Sequence, residues 1–110
     1  MKLLDLRYKL EKGQSLGGEV VYIKEDNLIY GIGSVYKSED GDSITLLKSK
    51  EESVKVNDFI NILDNLNSNI GDIEVLIGTD GYTRLNDKEI KSIEFAQYES
   101  IKMLFINVQN

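Results

Sequence analysis

Lys55-Val56-Asn57-Asp58-Phe59-Ile60-Asn61-Ile62-Leu63, residues 55–63, opens in the same way as Lys2-Leu3-Leu4-Asp5-Leu6-Arg7-Tyr8-Lys9-Leu10, residues 2–10. Each stretch places Asp after Lys at the same interval, then an apolar residue, then a second apolar residue one helical turn on. Side chains three or four residues apart share one helix face. Phe59, Ile62, Leu63 and Leu66 extend that pattern into a single apolar stripe and predict a helix, with Asn57 as its N-cap, Asp58 in its first turn and Gly71 beyond its end. Leu3, Leu6 and Leu10 predict a shorter helix ending at Gly13, although a strand over 2–8 fits the same residues.

The likeness continues past the helices. With a two-residue gap, Glu19-Val20 matches Glu74-Val75. Ile32, Ser34 and Val35 match Ile90, Ser92 and Ile93, and Ser43, Ile44 and Leu47 match Ser100, Ile101 and Leu104. Shared apolar residues come easily in an Ile- and Leu-rich chain. The ordered matches of Lys, Asp, Glu and Ser carry the repeat. Strands are expected over 19–23, 28–36, 43–48, 73–77, 90–95 and 100–108, with tight turns at Glu25-Asp26-Asn27 and Glu39-Asp40-Gly41-Asp42. The chain is therefore read as α+β. Two tandem α-β-β-β units are expected at 1–48 and 54–110, separated by a charged linker at 49–53. Each unit would be an antiparallel sheet with one helix, and the two would join into one larger sheet with both helices on one face or pack face to face, either way as a pseudo-twofold single domain. Gly31 and Gly33 alternate along one strand, where missing side chains would let a helix approach.

Composition narrows the chemistry. The 110 residues include no His, Cys, Pro or Trp. A Ser-His-Asp apparatus, thiolate catalysis and Cys- or His-based metal sites are thereby excluded. Gly31-Ile32-Gly33 lacks the third glycine of a dinucleotide loop and no helix follows it. Glu39-Asp40-Gly41-Asp42 lacks the alternating ligands of a calcium loop and reads as a turn. No enzyme, cofactor or metal site is expected. The net charge of −6, with neither Lys nor Arg between residues 56 and 83, disfavours nucleic acid and anionic membranes. No signal peptide or membrane span is visible, which points to the cytoplasm.

Interaction residues remain. Tyr82 and Arg84 follow the Asp80-Gly81 turn, and Tyr98 occupies the turn Gln97-Tyr98-Glu99; both have the character of interface anchors. Asn61, Asp64 and Asn65 form the polar face of the second helix. Val56-Asn57-Asp58-Phe59-Ile60, Leu63 and Gly71-Asp72-Ile73-Glu74-Val75 together resemble a pattern in small proteins of unassigned function from phages and prophages of low-GC bacteria, although the proline that often precedes the acid-valine strand there is absent. The resemblance implies an accessory, non-enzymatic protein that binds and modulates a host protein. Self-assembly as a homodimer through sheet edges is the alternative, and a small-ligand or ion sensor is the third.

Overall fold

The computed structural model describes residues 1–79 and 87–109. In chain order the elements are α1 (Leu3–Ser15), β1 (Val20–Glu25), β2 (Leu28–Lys37), β3 (Ser43–Ser49), β4 (Val54–Lys55), α2 (Val56–Ile70), β5 (Glu74–Gly78), β6 (Lys88–Tyr98) and β7 (Ile101–Val108). The protein is α+β, with both helices packed on one mixed sheet.

The strands join into one sheet, and its mixed pairing corrects the expectation of antiparallel strands throughout. Its order is β2-β3-β5-β6-β7-β1-β4, and β1 also pairs with β2, so the six longer strands close into a ring. Two of the joins are parallel. Val20 to Lys24 of β1 lie in register beside Met103 to Asn107 of β7, and Ser43 to Leu47 of β3 lie beside Glu74 to Gly78 of β5. Parallel neighbours need a crossover, and the segment containing β4 and α2 provides it between β3 and β5. The remaining joins are antiparallel, beginning with a two-residue turn at Asp26-Asn27, where both residues take positive φ (51° and 67°). This backbone suits the right-handed twist of a tight hairpin, and Asp and Asn tolerate it better than most residues.

Alternation sets what faces inward. Val21, Ile23, Ile44, Leu46, Val75, Ile77, Leu104 and Ile106 are buried in one cluster with Leu3, Leu6 and Leu10 of α1 and Phe59 and Leu63 of α2. The register of β2 slips between Ile32 and Ser34, and that of β6 between Ile90 and Ser92. An extra residue at a bulge restores the inward row after the slip. Val35 therefore still opposes buried Leu46, and Ile93 still opposes buried Ile106.

The helices depart from the sequence reading in phase and in capping. Val56, Phe59, Ile60 and Leu63 are the buried residues of α2, and Ile62 is exposed. Asn57 is no cap, because the helix already begins at Val56. The Val56 N–H donates to the Glu19 carbonyl (2.9 Å), just as the Leu3 N–H of α1 donates to the Ile73 carbonyl (2.9 Å). Carbonyls of the residues just ahead of β1 and β5 thus satisfy first-turn donors that a side-chain cap would otherwise serve. The Leu4 N–H is taken by Asp72 Oδ1 at 2.8 Å. The α1 helix also runs past Gly13 to Ser15.

The reading of Gly31 needs a different correction. A Cβ there would stand 1.0 Å from the Glu52 carbonyl oxygen. The chain between β3 and β4, rather than a helix, makes the close approach. No described helix is long and apolar enough to cross a membrane.

Candidate functional site

The α1 and α2 helices lie side by side, and one ion pair ties their outer faces. Arg7 Nε donates to Asp64 Oδ1 at 2.7 Å, and Arg7 Nη1 also engages Glu11 one turn further along α1. Hydrogen bonds from the guanidinium to Asp64, then to Glu11, raise its pKa above the ordinary value, so Arg7 is a fixed cation. Asp64 is thereby engaged with α1, while its helix neighbours Asn61 and Asn65 stay exposed. Leu4 and Tyr8, one turn apart on α1 on either side of Arg7, are 43% and 58% exposed. The outer surface of the helix pair thus combines an interhelical ion pair with exposed apolar residues on α1 and exposed carboxamides on α2.

The other sequence candidates lie elsewhere. Tyr98 ends β6, 71% exposed and directly opposite the exposed Ile101 at the tip of the β6–β7 hairpin. Glu99 at that tip has a positive φ of 55°. Tyr82 and Arg84 lie outside the described residues. The sequence candidates therefore divide between a helix face and a hairpin tip. The buried stripe of α1 does not point to Leu4 and Tyr8, which lie off it. The outward recurrence of Leu4 and Tyr8 at i and i+4 was the available signal.

A second polar constellation sits where β1, β3 and β6 meet. The inward row of β1 runs Val21, Ile23, Glu25, and the Glu25 side chain is only 9% exposed. Its Oε1 accepts from Lys48 Nζ at 2.6 Å, and its Oε2 accepts from Lys88 Nζ at 2.5 Å. Hydrogen bonds from Lys48, then Lys88, hold its carboxyl below the usual range against the opposing cost of burial. Lys48 also lies over the Tyr30 ring, 5.2 Å from its centroid. Nearby on β3, Thr45 Oγ1 donates to Asp87 Oδ2 at 2.7 Å. Glu25 stays ionised across neutral pH, and both its oxygens are engaged. The arrangement fastens three strands and is not set up to pass a proton. A charged residue in step with two inward aliphatics was the sequence signal for it.

Among the described residues, no group of three or more His, Cys, Asp or Glu is placed to hold a metal ion. No protein-family model matches the chain, and neither a curated protein nor a solved structure matches it significantly.

Proposed function

We propose that the chain is a duplicated α-β-β-β unit serving as a protein-binding module, with the outer face of the α1–α2 pair as its contact surface. The duplication is supported by paired registers. Lys2 bridges Glu74 as Lys55 pairs with Val20. The Leu3 and Val56 N–H groups reach the carbonyls of Ile73 and Glu19. The bulges fall at Ile32/Ser34 and Ile90/Ser92, and the parallel joins β1–β7 and β3–β5 exchange places under the same correspondence. The pairings shift two of the sequence matches: Val21 corresponds to Val75, and Ile44 to Leu104. On this reading the units remain 1–48 and 54–110, with 49–53 between them.

The binding role rests on one observation above all: Leu4 and Tyr8 stay exposed on α1, on either side of the Arg7 that pairs with Asp64 of α2. The partner class is a host-cell protein, in keeping with the accessory role that the phage resemblance implies. A photo-crosslinker at position 61 is expected to trap one partner reproducibly, and adding L4S/Y8A is expected to abolish its capture while leaving the thermal midpoint unchanged. Capture that survives L4S/Y8A removes this face from the proposal.

Self-association is the second reading, favoured by exposed Tyr98 and Ile101 facing each other at a hairpin tip. Light scattering at increasing concentration separates it: a dimer lost in Y98S/I101S supports it, and a monomer throughout removes it.

A further inference from the structure

The C-terminal half of α1 and the strand β6 enclose a groove of about 260 Å³. Its floor is Ile93, Phe95 and Leu104, which belong to or pack on the apolar core. Its helical wall carries Lys9 and Lys12 of α1 and Leu16, the C-cap residue just after it, at i, i+3 and i+7. Gly13 lies between them. A Cβ there would stand 2.5 Å from Leu104 Cδ2, so the helix rests directly on Leu104 and the wall stays low. Leu16 is 64% exposed at the groove's end.

Lys9 and Lys12 line this apolar floor and carry the sign opposite to the chain's overall charge of −6. Their present partners are weak competitors. Lys9 reaches Asp5 at 3.4 Å on the helix surface, an exposed i,i+4 pair of small net value. Lys12 lies over the Tyr8 ring, 5.4 Å from its centroid. The volume is below the roughly 300–1,000 Å³ of pockets for drug-sized ligands, so the occupant is small.

We infer that this groove binds a small amphipathic carboxylate, its alkyl or aryl body on Ile93, Phe95 and Leu104 and its carboxylate against Lys9 and Lys12. A neutral apolar molecule would leave the ammonium groups unpaired at the rim, and a cationic one would be repelled by both.

The test titrates the full chain with octanoate and, separately, with octylammonium, which has the same tail and the opposite charge, and follows backbone amide NMR shifts. Octanoate is expected to give saturable shifts at Gly13, Leu16, Ile93, Phe95 and Leu104, and octylammonium none that saturate. K9Q/K12Q, at surface positions, is expected to weaken octanoate by about tenfold or more with an unchanged thermal midpoint. Equal binding of the two probes, shifts that map elsewhere, absence of saturation, or undiminished binding to K9Q/K12Q each overturns the inference.

Discussion

Glu25 and Gly31 are two residues whose neighbours fix what substitution will do. Glu25 lies between Lys48 and Lys88 with little access to water. Replacing it with Gln keeps the shape but leaves two ammonium groups facing a neutral amide. E25Q is expected to cost about 2 kcal/mol at pH 7 in urea unfolding. Because the folded-state pKa is depressed, this stabilisation is present above the ordinary carboxylate range near pH ~4 and is lost as pH falls through the folded value. Wild type and E25Q should therefore differ most at neutral pH and converge in acid. At Gly31 the obstacle is backbone, the Glu52 carbonyl, which cannot rotate aside. G31A is expected to cost about 3 kcal/mol. G33A, whose new Cβ would meet Ser49 Cβ at 3.0 Å, should cost about 1 kcal/mol or less. Both glycines stood out in the sequence as sites of close approach. What approaches Gly31 was illegible, because a contact between two distant chain segments leaves no local pattern.

The α2 helix is the most legible element, yet its buried face is rotated from the one its sequence predicts. A stripe of Phe59, Ile62, Leu63 and Leu66 and a stripe of Val56, Phe59, Ile60 and Leu63 differ by a fraction of a turn, and the sequence offers apolar residues for both. The hydrogen bond from the Val56 N–H to the Glu19 carbonyl ties the first turn to the residue just ahead of β1, and in the phase so anchored Ile60 is buried. Substitution separates the two phases. F59A should cost about 3–5 kcal/mol, the usual range for emptying a buried aromatic site. I62A should stay within about 0.5 kcal/mol, as exposed positions generally do. The hairpin strands were legible through alternation and the Asp26-Asn27 turn. The bulges were not, because an inserted residue looks like a broken alternation until its partner strand is known.

Element order could be read along the chain, but the way the strands close into a ring could not. Parallel joins between β1 and β7 and between β3 and β5 link strands far apart in sequence, and period-two patterning names a face without naming a neighbour. Under the proposed duplication each join connects one unit to the other. The units also differ where the groove lies: Lys9 and Lys12 correspond to Ile62 and Asn65, and Phe95 corresponds to Lys37, so an apolar floor with a cationic rim occurs on one side of the ring. The joins lead to a prediction about fragments. In residues 1–53 alone, β1 keeps its hairpin with β2 but loses β7, and β3 loses β5. Val21, Ile23, Ile44 and Leu46 would then face water, and two ladder edges would lie open. Residues 54–110 lose the reciprocal partners. Each fragment alone is expected to show no cooperative urea transition by far-UV circular dichroism. An equimolar mixture should regain the spectrum of the intact chain and dissociate on dilution, because folding then depends on concentration. A fragment that unfolds cooperatively as a monomer would mean that one unit holds its core without the parallel joins, and the ring would be a docked pair instead of one interdependent sheet.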